Sequence, residues 1–259
     1  MPRLFSAIRV AALLAALPAA ALGQTALAQA PTFSAEQRTA IEAIIKDYLV
    51  KNPEVLQEAI GELEKRQAEA QRKEQTAALA QVREQVLSAK SGVVIGNPSG
   101  DVTLVEFFDY NCGYCKRALS DLRGLLKSDP KLRVVLRDLP VLGPDSVEAS
   151  KIAVAAKAQL SGDKAFEYHS RLLESRGRVG GEQALALAKS MGLDMARLQK
   201  DANGAETQET IATNNTIAMR LNMSGTPAYV VGQEVIAGAV GAQTLREAIE
   251  TARKCGANC

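Results

Sequence analysis

The sequence predicts an α/β protein with a long helical preface. Three observations predict it. A β-branched and aromatic run, Val102–Phe108 (VTLVEFF), is followed by a helical pattern from Lys116 to Leu126 and a second strand pattern, Leu132–Arg137, giving a strand–helix–strand unit. Residues 145–222 are almost wholly helical in pattern. Residues 31–90 also read as helix throughout, with no strand signal. With 47% hydrophobic residues a packed core is expected, and with no tryptophan it must rely on Ala, Leu, Val and Ile.

Residues 1–28 read as a signal peptide. Arg3 and Arg9 give a positive start, Val10–Leu22 an apolar run, and Ala26-Leu27-Ala28 a small-residue cleavage site. Ala28-Gln29-Ala30 also fits, but Pro31 would then follow the cut. The run is short for a membrane anchor, which needs roughly 20 residues. The expectation is an exported protein, soluble after cleavage. The formal charge of +2 equals the two leader arginines, so the mature chain is neutral. Nothing in the charge points to nucleic acid or anionic lipid.

Residues 29–90 form the next segment. Ser34-Ala35-Glu36-Gln37 spells a capping box, and Ile41, Ile44, Ile45, Tyr48 and Leu49 follow at helical spacing. Asn52-Pro53 ends this helix and starts another, with Asn as N-cap and Pro at the first position. Val55, Leu56, Ala59, Ile60 and Leu63 make a second apolar stripe. Residues 64–78 (EKRQAEAQRKEQTAA) hold no large apolar side chain, so this stretch reads as a solvated stalk laced by i,i+4 charge pairs. The two stripes suggest a homo-oligomer built through residues 34–90, against a helical hairpin packed on its own domain.

Turn chemistry at Ser91-Gly92 and Gly96–Gly100 brackets a short strand, Val93–Ile95, and places a domain boundary near 90. Residues 91–259 form the α/β domain that follows. Within the helical block the pattern is Ala-rich at 147–160, amphipathic at 164–174 and 181–190, and helical again at 206–221. Pro227–Val231 and Glu234–Ile236 suggest a hairpin through Gly232-Gln233, and a last helix runs from Ala242 to Lys254.

The chemistry lies in DYNCGYCK, residues 109–116. Cys112 and Cys115 stand just after a strand, at the first turn of a helix. Unpaired N–H groups and the positive dipole end favour thiolate there. Free cysteine is only about 3% thiolate at pH 7, and lowering its pKa by about three units takes roughly 4 kcal/mol. The dipole supplies ~0.3–2 kcal/mol, so direct hydrogen bonds to sulfur must carry much of the rest. Cys112 is the candidate nucleophile. Cys115, one turn on and nearer the core, is the candidate resolving thiol that attacks a mixed disulfide and frees the partner. Two readings compete: a structural bridge, and a copper or zinc centre using the thiols as soft ligands. A zinc site needs about four ligands. The one histidine, His169, lies in a helical pattern, and the other two thiols, Cys255 and Cys259, are at the far end of the chain. No metal ligand set and no cofactor are predicted.

Glu106 shares strand parity with Val102 and Leu104, so it should point into the core, with a raised pKa. Placed beneath the helix, it is a candidate to take and return the Cys115 proton. The competing reading is a surface glutamate on an edge strand.

TLVEFFDYNCGYCK resembles the strand and active-site segment of DsbA-like exported thiol–disulfide oxidoreductases, members of the thioredoxin superfamily. Ser224-Gly225-Thr226-Pro227 resembles their cis-proline loop, and residues 145–222 resemble their helical insertion. DYLVKNPEVLQEAIGELEKRQ resembles the helical N-domain of ScsC-like members. The resemblance implies a thioredoxin fold with a helical insertion behind an α-helical oligomerisation region, trimeric in known relatives. It implies Cys112 as nucleophile, Cys115 as resolving thiol, Glu106 as buried proton acceptor, and Thr226 and Pro227 as a substrate-contacting loop. It also implies partners: exported proteins with cysteines, and a membrane reductant of the DsbD type or oxidant of the DsbB type. Strong oxidases of the family carry Pro-His between the cysteines. Here Gly113-Tyr114 offers no charge, and Gly-Tyr with Thr before the proline resembles the DsbC-type isomerases. Isomerase or reductase is therefore the expectation, with dithiol oxidase as the alternative. Cys255 and Cys259 have no counterpart in the family core. Gly256 lets the chain turn back, which makes them candidates for a structural disulfide, with a second redox pair or a metal-binding tail as the alternatives.

Overall fold

The computed structural model describes residues 33–256. The expected signal peptide and Cys259 lie outside the described residues. The chain divides into two units between Gly61 and Glu62.

The first unit holds α1 (Ala35–Lys51) and the start of α2 (Glu54–Leu87). Ser34 caps α1: the Gln37 N–H donates to its Oγ, and its own N–H donates to Gln37 Oε1. Asn52 behaves differently from its expected role. Its side-chain amide donates to the Tyr48 carbonyl, closing the end of α1 rather than capping α2. No α1 residue is buried. Ile44, Ile45, Tyr48, Leu56, Ile60 and Leu63 are all exposed.

The second unit starts inside α2. Residues 64–74 are exposed, and Glu62–Arg66 supplies an i,i+4 ion pair. Further along, Leu79, Val82 and Val86 are buried. Their spacing of three and four residues puts them on one helix face, and that face packs on a β-sheet. The packing break therefore falls at residue 61, well before the expected boundary near 90, because the end of α2 belongs to the core.

The remaining elements are β1 (Val93–Gly96), β2 (Val102–Phe108), α3 (Gly113–Ser128), β3 (Leu132–Asp138), α4 (Pro144–Ala156), α5 (Gly162–Glu174), α6 (Gly181–Ser190), α7 (Met195–Ala202), α8 (Ala205–Arg220), β4 (Ala228–Val231), β5 (Glu234–Ala237) and α9 (Ala242–Cys255). The short α7 lies in the block read as helical, but no periodic run marked it. The sheet order is β1-β3-β2-β4-β5, with β2 and β3 parallel and the other pairs antiparallel.

Alternation in β2 divides the core. Val102, Leu104 and Phe108 face α3, α9 and the helices of the insertion. Val105 and Phe107 face α2 and α8. Helices on both sides explain why β2 carries nearly continuous hydrophobicity.

Arg137 of β3 is wholly buried on the α2 side. Its guanidinium donates to the carbonyls of Gln85, Val86, Ser88 and Ser91 and to Asn214 Oδ1 of α8. The last carbonyls of a helix have no partner within it and carry partial negative charge. Arg137 satisfies them and neutralises that end. Burial lowers its pKa to about 10, which leaves it charged at neutrality.

Candidate active site

Strand β2 delivers the chain to the N-terminus of α3, and Cys112 is the N-cap. Both thiols are free and buried, Cys112 at 6% exposure and Cys115 at 0%. The structure is thus the dithiol form. The two sulfurs differ in acidity. The Cys112 thiol is lowered to about 5, first by the hydrogen bond from Cys115, then by Thr226 and the backbone N–H groups of Cys115 and Tyr114, against the effect of burial. Those N–H groups act without closing a cap hydrogen bond of full geometry. Cys115 is pushed far above an ordinary thiol by its bond to Cys112 and by burial. One proton shared between two sulfurs makes one of them acidic and the other reluctant.

Across from Cys112 lies the Thr226–Pro227 peptide bond, which is cis. The Thr226 carbonyl is 3.1 Å from Cys112 Sγ, close enough to accept from the thiol when that is protonated. The sequence places these residues 114 apart, and the β2–β4 pairing brings them together.

Glu106 is 2% exposed and pairs in register with Leu136 on β3 and Tyr229 on β4. It lies in a central strand, so the edge-strand reading fails. Burial raises its pKa to about 8. The Tyr229 hydroxyl opposes that rise, and the nearby Cys112 adds to it. The carboxyl in turn raises the Cys115 pKa, as a neighbouring negative charge should.

Two side chains that sequence reading passed over hold the loop. Asp109, fully buried, accepts from the Asn111 N–H and Ser146 Oγ at one oxygen and from the Val141 and Leu142 N–H groups at the other. Asn111 donates to Ser146 Oγ and the Val179 carbonyl and accepts from the Val179 N–H. The only available signal was a pair of Asx residues just before a helix, which favours local side-chain–backbone bonding. On the surface, Tyr114 is 59% exposed, and the Arg117 guanidinium lies 4.3 Å from its ring centroid.

His169 sits elsewhere, buried against Phe108 and Tyr110, with burial lowering its pKa to about 3. It packs as a neutral aromatic. Among the described residues no three His, Cys, Asp or Glu side chains converge as a metal-binding group. Cys255 ends α9 and is disulfide-bonded, and Gly256 follows at a positive φ of 62°. Its expected partner, Cys259, lies outside the described residues.

The DSBA-like thioredoxin domain matches residues 103–250, more than half of the chain, spanning the thiols, the buried carboxyl and the cis-proline. The chain belongs to this family. A second match, to the copper resistance protein ScsC N-terminal domain, covers residues 37–70. Among solved structures of similar fold, a thioredoxin-like oxidoreductase from Silicibacter pomeroyi is 38% identical, with TM-score 0.63, covering 66% of this chain and 98% of that one. Proteus mirabilis ScsC in a transitional conformation is 27% identical, with TM-score 0.62, covering 86% of this chain and 99% of that one. Salmonella enterica Typhimurium BcfH is 25% identical, with TM-score 0.72, covering 84% and 96%. A curated relative, a Na(+)/H(+) antiporter NhaA of Salinispora arenicola, is 29% identical over 161 residues, which are 61% of this chain and 24% of that protein. The chain thus spans about a quarter of the length of the curated relatives it matches. Among the described residues no helix is long and apolar enough to cross a membrane.

Proposed function

We propose that this protein is a periplasmic thiol–disulfide oxidoreductase that reshuffles or reduces disulfides in other exported proteins. The observation that carries the exchange chemistry, whichever its direction, is the split acidity of the two thiols beside the cis-proline. Cys112, acidic and next to Thr226, attacks a client disulfide and forms a mixed disulfide. Cys115 then attacks Cys112 Sγ and releases the client thiol, unless a second client cysteine resolves the complex first. The first outcome is reduction and the second isomerisation.

Isomerase character is supported by Gly113-Tyr114, which places no charge between the thiols, and by Thr226 before the proline. The exposed apolar residues of α1 and early α2 support a homo-oligomer, a trimer by analogy with ScsC, through residues 34–90. Several sites held around one misfolded client raise the local concentration of nucleophile. A membrane thiol reductant of the DsbD type would keep Cys112 and Cys115 reduced. The alternative, a dithiol oxidase served by a DsbB-type oxidant, is favoured by one observation: an acidic Cys112 stabilises the reduced form and makes the disulfide more oxidising.

Reactivation of scrambled ribonuclease separates the two. The reduced protein is expected to restore ribonuclease activity catalytically, and Cys112→Ser to abolish it. Rapid oxidation of reduced ribonuclease without repair of the scrambled form would establish the oxidase instead.

A further inference from the structure

Tyr229 is an odd choice for its position. Alternation in β4 sends Ala228 and Val230 to the α2 side and Tyr229 and Val231 to the side of the thiols. An aliphatic residue would fill that place without bringing a polar group into the core. A buried phenol must find a partner or lose the hydration of its hydroxyl. Tyr229 is 2% exposed, and its direct cross-strand neighbour is Glu106. Such pairs share a face, with Cβ atoms about 5 Å apart. Glu106 Oε2 is buried with no hydrogen-bond partner of full geometry, so the carboxyl keeps an oxygen free to take a proton.

We propose that Tyr229 is a positioning residue for the proton acceptor: its hydroxyl donates to the Glu106 carboxylate across the β2–β4 ladder and holds it under Cys115. The inference rests on the reading of Glu106 as the group that takes the Cys115 proton. The step is balanced. The Cys115 proton moves to the Glu106 carboxylate. The Cys115 thiolate forms a bond to Cys112 Sγ, the Cys112–client S–S bond breaks, and the client sulfur leaves with the electron pair. The enzyme dithiol is oxidised, the client is reduced, and Glu106 returns its proton to the departing thiolate or to water.

The charged and titratable groups facing Glu106 are few. α3 brings Cys112 and Cys115, and its Asp121 acts on the tyrosine. β4 brings Tyr229, and β3 brings apolar Leu136. α9, packed on β2, buries Leu245, Ala248 and Ile249. Tyr229 is therefore the side chain placed to favour the ionised carboxyl, consistent with its effect on Glu106 acidity.

The test follows the second step of exchange with oxidised glutathione, the release of glutathione from its mixed disulfide on Cys112, as a function of pH. Wild type, Tyr229→Phe, Glu106→Gln and the double variant are compared as full chains. Tyr229→Phe is expected to move the midpoint of the rate profile upward by about one pH unit and to slow release about tenfold on its acid side. Glu106→Gln should remove that limb, and the double variant should match Glu106→Gln. The infrared carboxyl band of Glu106 gives a second reading of the same midpoint. A Tyr229→Phe profile unchanged beside an altered Glu106→Gln profile makes the tyrosine purely structural and overturns the proposal. An unchanged Glu106→Gln profile instead overturns the reading of the carboxyl itself.

Discussion

Cys112 is the acidic thiol of the pair, and its environment gives a stability signature. Its pKa is about 5 in the folded dithiol against 9.0 for the ordinary thiol. A depressed value means that folding favours the ionised form. The contribution is full above about pH 9 and is lost as pH falls through about 5. The reduced protein should therefore gain stability over Cys112→Ser as pH rises between those limits, measured by urea unfolding. Thiolate ultraviolet absorbance should titrate near the lower one. A midpoint close to that of free cysteine would remove the basis for an activated nucleophile. Glu106 runs the other way: burial raises its pKa from 4.5 to about 8, so its contribution is full below about pH 4.5 and is lost as pH rises through about 8.

Elements were legible wherever the pattern was local. The strands β2 and β3, the helix between them, the capping box of α1 and the terminal hairpin all follow from propensity and periodicity. What sequence reading missed depends on long-range partners. Leu79, Val82 and Val86 show a helical stripe, but nothing local says that it meets a sheet. Arg137 reads as a charged residue in a strand. Its role appears only when α2, about 50 positions earlier in the chain, ends against it. Asp109 was passed over for the same reason, since two of its donors come from the loop after β3. Glu106 was placed correctly by parity, but its cross-strand partner required the register. Arg137→Met keeps the apolar stem and strands four carbonyls. Hydrogen bonds to charged groups are worth about 1.5–3 kcal/mol each, so the variant should lose about 3 kcal/mol or more in urea unfolding. A loss within experimental error would mean that water replaces the guanidinium.

At the scale of the whole molecule, the exposed residues of α1 set the expectation. Ile44 at 68% and Tyr48 at 55% exposure leave an apolar surface without cover in a single chain. Such surfaces mark association sites. Ile44→Glu with Ile45→Glu is expected to shift the protein from oligomer to single chains by light scattering, while the simple reduction of a small disulfide continues. A wild-type protein that is already monomeric would reject the oligomer. The same packing dictates how a catalytic fragment is cut. A start at residue 91 removes Leu79, Val82 and Val86 from the core, so the fragment must keep the end of α2.

The four donors gathered on Asp109 have a consequence for electron traffic. They clamp the loop that bears Cys112 to the loop after β3 and the start of α4 without involving either sulfur. The support is then indifferent to oxidation state, much as an electrode is indifferent to the sign of the current. None of the four bonds has a sulfur as donor or acceptor, so none has to break for electrons to pass through the thiols.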